Sequence, residues 1–98
     1  MFISIDRIEY IHNKKEQAIE ISGENFDAAI LRDWDQDLTE CPRAKMRFDL
    51  NARGPKLYLL KVLGSIKDPD CKTLEELVNK KMMGKILNLS PNFLVNED

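Results

Sequence analysis

The sequence predicts an α+β domain, an antiparallel sheet of about four strands with two helices in the order ββαββα. Three observations carry that expectation. Segments 2–11, 17–22 and 44–50 alternate apolar with polar residues, the period of a half-buried strand. Phe26, Ile30, Trp34, Leu38 and Cys41 recur at spacings of four, four, four and three, which is one stripe of a helix. Thr73-Leu74-Glu75-Glu76 has the form of a capping box, and a second apolar stripe follows it. A chain of 98 residues has enough apolar surface for one core and too little for two. Residues 1–91 therefore read as a single domain and 92–98 as a loosely ordered tail, on which Phe93, Leu94 and Val95 offer apolar groups for docking.

The first strand is marked by Phe2, Ile3, Ile5, Ile8 and Ile11, with one break in the alternation near Arg7 that reads as a bulge. His12-Asn13-Lys14-Lys15 is polar and turn-like. Gln17–Ser22 then alternates Ala18, Glu20 and Ser22 against Ile19 and Ile21, making a hairpin that Gly23 closes. The helix expected over 26–41 has Asn25 or Asp27 to cap it and Pro42 to stop it. Its outer face is acidic, with Asp33, Asp37 and Glu40.

In 44–50, Met46, Phe48 and Leu50 share one side of a strand, and Lys45, Arg47 and Asp49 the other. Asn51–Lys56 contains Gly54-Pro55 and reads as a loop. Leu57–Leu63 is nearly continuous in apolar residues, the pattern of a central strand covered on both faces. Ser65–Lys72 is a connecting loop. The second helix starts at Thr73, buries Leu74, Leu77, Val78 and Met82, and has Gly84 placed as its left-handed stop. Lys85–Leu89 fits either a continued helix or a short edge strand, with the stop at Gly84 favouring the strand.

Ile19-Glu20-Ile21-Ser22-Gly23-Glu24-Asn25-Phe26 resembles the strand-and-turn signature of IPT/TIG immunoglobulin-like domains, an apolar pair, a glycine and an aromatic in that order. The likeness covers eight residues of 98, and an all-β sandwich supplies neither the box at Thr73 nor the stripe behind it. No function is carried over from it.

Chemistry is sparsely signalled. Asp33-Trp34-Asp35-Gln36-Asp37 opens like a calcium loop, but Leu38 and Ala44 stand where that loop needs glycine and glutamate. His12 is the single histidine and falls in a turn, where a solvated polar side chain is the norm. The four glycines are scattered, so there is no phosphate-cradling loop. Cys41 and Cys71 belong to no C-x-x-C pair and read as free, partly buried thiols in a reducing compartment. No catalytic residue, metal ligand or cofactor is assigned, and an enzyme is not the expectation. Asp6 and Glu9 interrupt the apolar start where a secretory leader needs continuity, and no apolar run reaches bilayer length, so a cytoplasmic, non-membrane protein is expected.

The sharpest functional signal is a partition of charge. Residues 1–41 hold four basic against ten acidic side chains, a net −6, whereas 42–91 hold eleven against five, a net +6. Opposed potentials of that kind bear on association, because they act locally even where the whole chain is only −2. The expectation is a small regulatory, adaptor or assembly module that binds protein partners, its own second copy included. Asp33, Asp37 and Glu40 form the acidic partner face, and Arg43, Lys45, Arg47, Lys80, Lys81 and Lys85 the basic one. The alternative is a nucleic-acid-binding accessory protein whose basic second half tracks phosphates. Against it stand the low aromatic content, 7%, and the lack of stacking residues at the outward strand positions.

Overall fold

A computed structural model describes residues 1–26, 42–65 and 69–95. Its elements are β1 (Phe2–His12), β2 (Gln17–Asn25), β3 (Arg43–Asp49), α1 (Arg53–Leu63), α2 (Cys71–Met82), β4 (Ile86–Asn88) and a 3-10 turn (Pro91–Phe93). The strands form one antiparallel sheet in the spatial order β3-β2-β1-β4, so the α+β class holds. The element order differs from ββαββα, since the described elements run β1β2β3α1α2β4. The helix expected over 26–41 lies, beyond Phe26, outside the described residues.

The β1–β2 hairpin turns where the polar run placed it. Asn13 accepts from the Lys15 and Glu16 amides at 2.8 and 2.7 Å, and its own amide donates to the Glu16 carbonyl at 2.9 Å. An Asx turn of this kind explains why asparagine suits the corner. The break near Arg7 is a bulge: Ile5 pairs with Gly23 and Arg7 with Ser22, leaving Asp6 as the extra residue. Gly23 does not close β2, which runs on to Asn25. Instead it lets the two backbones meet, because a Cβ there would lie 1.7 Å from the Ser4 carbonyl oxygen.

One face of the sheet carries Ile3, Ile5, Ile19, Ile21, Met46 and Phe48, and the helices cover it with Leu59, Leu60, Leu63, Leu74, Val78 and Met82. Burying that face is the main drive to fold. Leu57–Leu63 is helix rather than strand, a correction with a clear cause. A short unbroken apolar run cannot be told from a buried helix by period alone. Here only Val62 is β-branched, and four leucines favour helix. Leu59, Leu60 and Leu63 are buried while Leu57 and Lys61 face solvent. The Asn51–Lys56 loop is shortened accordingly, with Pro55 in the first helical turn, where its missing amide has no partner to lose. Gly64 ends α1, its amide donating to the Leu60 and Lys61 carbonyls.

The start of α2 is a second correction. Asp70, not Thr73, is the cap: its carboxylate accepts from the Thr73 amide at 2.7 Å and the helix begins at Cys71. Aspartate is the stronger N-cap, and Pro69 before it helps end the preceding loop. α2 ends at Met82, and Gly84, at φ +73°, lies in the turn just beyond it with its amide donating to the Ile5 carbonyl at 2.8 Å. The chain then returns as β4 along β1. Phe93 packs on Phe48 and Tyr58 with ring centroids 5.1 and 4.7 Å apart, and the Val95 amide donates to the Lys45 carbonyl at 2.8 Å. The tail thus docks through residues 93–95 onto the outer edge of β3, where Leu94 bridges Met46. Cys71 is free but exposed, which corrects the buried reading for that thiol, and Cys41 lies outside the described residues.

Candidate functional site

Strand alternation sends the charged residues of β1, β2 and β3 to the sheet face opposite the helices. In the antiparallel register Glu20 stands across from both Glu9 and Arg47, Ser22 from Arg7 and Lys45, and Glu24 from Arg43. Acidic β2 is therefore flanked by basic β3, the arrangement in which cross-strand pairs of opposite sign form.

Glu20 is the centre of this face. It accepts from Arg47 at 2.9 Å and lies 3.1 Å from the Lys45 ammonium, and its side chain is only 11% exposed. Burial pushes its carboxyl up, but the hydrogen bonds from Lys45 and Arg47 outweigh that and hold it below the usual range. Arg47 also reaches Glu16 at 3.6 Å. At the bulge, Arg43 grips Asp6 with two parallel hydrogen bonds of 2.9 and 2.6 Å. That fork lowers the Asp6 pKa and raises that of Arg43. Arg7 pairs with Glu9 beside them.

Between these rows lies a cleft of about 620 Å³, lined chiefly by Arg7, Glu9, Glu20, Ser22, Arg43 and Lys45, with Leu94 and Val95 at its rim. Its size is within the range of small-molecule sites, but its walls are charged rather than apolar, as on a surface that meets another polar surface. Among the described residues no group of three His, Cys, Asp or Glu side chains is placed to hold a metal ion. No helix is long and apolar enough to cross a membrane, among the described residues.

The residues singled out from sequence separate into three sets. Asp33, Asp37 and Glu40 lie outside the described residues. Arg43, Lys45 and Arg47 do share one strand face, and each is within ion-pair distance of a carboxylate of β1, β2 or their turn. Lys80, Lys81 and Lys85 lie at the end of α2 and the start of β4, and the Lys81 ammonium donates to the Leu63 carbonyl at 2.7 Å, closing the end of α1. β3 and β4 are opposite edges of the sheet, three strand spacings or about 14 Å apart. The six basic residues are thus two clusters, not one track.

Asp6, Arg7, Glu9 and Glu20 were not singled out from sequence. For Glu20 the signal is the outward phase of the alternation, since acids outward on β2 and bases outward on β3 must face each other once the strands are neighbours; Asp6, Arg7 and Glu9 lie on β1 at and beyond its bulge, where the phase shifts. Comparison with protein-family models, with curated proteins and with solved structures finds no match for this chain.

Proposed function

We propose that this chain is a small protein-interaction module, of regulatory, adaptor or assembly type, that binds through its charged faces and takes a second copy as one candidate partner. The observation that carries this reading is the mixed-charge cleft between Arg7, Glu9, Glu20, Arg43 and Lys45 on the face opposite the helices. A face of both signs in fixed rows rewards a partner with the complementary pattern and penalises others, so it supplies specificity. A phosphate track is less well supported, because Arg43, Lys45 and Arg47 already serve carboxylates that would repel a polyanion.

Sedimentation velocity at low and high salt tests the self-association part. Association that weakens as ionic strength rises is expected, and a strict monomer at high concentration and low salt refutes it. Capture from the native host with the wild type and with a charge-reversed R7E/R43E/K45E variant tests the wider reading. Proteins retained by the first and lost by the second are expected; identical sets from both refute binding through this face. A fluorescence-anisotropy titration with single- and double-stranded nucleic acid completes the comparison, and binding at about 1–100 μM in low salt favours the alternative instead.

A further inference from the structure

The two edges of the sheet are treated differently. At the β3 edge the chain covers itself, through the Met46–Leu94 bridge and the bond from the Val95 amide to the Lys45 carbonyl. At the β4 edge no described strand pairs beyond β4. Its backbone phase follows from the bonds on its inner side. The Leu89 amide donates to the Met1 carbonyl at 2.8 Å and the Ile5 amide to the Lys85 carbonyl at 2.9 Å, so residues 85, 87 and 89 face β1. By the alternation of an antiparallel ladder, the amides and carbonyls of Ile86 and Asn88 point away from it.

Side chains around this edge have a distinct character. Ile86 is 57% exposed and Phe2, on the same face of the neighbouring strand, 48%. Residues 77–95 contain Lys80, Lys81 and Lys85 and no acidic residue. Asp6, the acid nearest in the β1–β4 register, is held by Arg43. A strand edge that no described strand pairs, with exposed Ile86 on it and Lys85 directly before it, is a template for a strand of opposite charge.

We propose that the outer edge of β4 binds an extended acidic segment of a partner protein, which adds to the sheet beside Ile86–Asn88. Main-chain bonds to Ile86 and Asn88 hold it, alternate apolar side chains rest on Ile86 and Phe2, and its carboxylates meet Lys80 and Lys85. A second copy is disfavoured at this edge, because two-fold pairing of β4 with β4 brings two lysine clusters together, the device by which edge lysines block self-pairing. This rests on the interaction reading above and gives one of its partners a chemistry.

The probe is a short capped peptide alternating glutamate with valine, compared at pH 7 with one alternating lysine with valine. It is titrated into the whole chain by fluorescence anisotropy and followed by amide hydrogen exchange. Saturable binding of the acidic peptide alone is expected, with exchange at Ile86 and Asn88 slowed about tenfold or more, while Leu87, already paired to β1, changes little. The K80E/K85E variant is expected to lose about tenfold or more in affinity, with its thermal unfolding unchanged. No binding overturns the proposal, as does equal binding of the lysine peptide. Binding that protects amides of β2 or β3 instead also overturns it, and that result leaves the interaction reading standing.

Discussion

Replacing Gly23 with alanine tests whether the close approach at the bulge is as the structure has it. The added Cβ would lie 1.7 Å from the Ser4 carbonyl oxygen, 2.6 Å from its carbon and 3.0 Å from the Ile5 Cα. All three are backbone atoms of β1, so no rotamer change relieves the overlap. The strands must part locally at the point where the register already shifts between Ile5 and Arg7. Overpacking costs about 1–3 kcal/mol and each ladder bond lost about 1 more. G23A is thus expected to lose about 2–4 kcal/mol from a total of about 5–15. At about 4–8 °C per kcal/mol for a domain of this size, Tm falls by about 8–30 °C. Gly54 is the matched control. It sits in the first turn of α1 with nothing within 4 Å of an added Cβ, and G54A is expected to gain about 0.5–1 kcal/mol. Thermal unfolding of both variants by circular dichroism checks the pair. Equal Tm values for G23A and the wild type would refute the close approach, and with it the bulge at Asp6.

Glu20→Gln removes the charge shared by Lys45 and Arg47 while keeping the shape. Because both partners are about one-third exposed, the loss is discounted to about 1–2 kcal/mol in urea unfolding, and no loss would show that the row is not a network. Tyr58→Phe deletes the hydroxyl that accepts from the Ser90 amide at 2.7 Å. It is expected to cost about 1 kcal/mol and to speed exchange at Ser90, and unchanged exchange there would count against the bond. Acid titration addresses Asp6, Glu20 and Asp70, whose carboxyls are all held below their ordinary values by hydrogen bonds to their charged forms. Their contribution is present above the unfolded carboxylate range and lost as pH falls through the folded values, so stability is expected to be flat near neutrality and to drop below about pH 4. In D6N/E20Q that drop is expected to shrink, and an identical acid limb would refute the assignment.

What the sequence made legible depended on how many structures one pattern permits. The alternation in β2 and β3, and in β1 ahead of its bulge, permits a single phase, so Ile3, Ile19, Met46 and Phe48 could be assigned to the core and Glu20 and Arg47 to the surface before any contact was known. The run Leu57–Leu63 permits two, because apolar residues on every side suit a covered strand and a packed helix equally. What decides is the company it keeps, an exposed Leu57 and Lys61 against buried Leu59 and Leu63, and that is a property of the tertiary fold. The cap of α2 was misplaced for a related reason. Asp70 and Thr73 lie three apart, so each can head the same apolar stripe, and the bond from the Thr73 amide to Asp70 is the deciding fact. β4 is only three residues long, too short for any period, and its place comes from Gly84 turning the chain back onto Ile5.

The charge partition changes meaning once the strands are paired. Along the chain, a −6 segment followed by a +6 segment permits two arrangements, poles that face outward or poles that neutralise each other within the monomer. Across the sheet, acidic β2 lies between basic β3 and the mixed β1, so that part of the dipole is closed within the domain by Asp6, Glu16 and Glu20. The exposed Arg43–Asp6 pair adds little to stability, but the charged rows fix which strand phase faces solvent, since slipping β3 by one residue would bury Lys45 and Arg47 among Ile19 and Ile21. The fold also leaves charges outside these rows. Among the described residues Lys80, in the last turn of α2, and Lys85, directly before β4, make no ion pair, and the outer edge of β4 is the one sheet edge that the described tail does not cover.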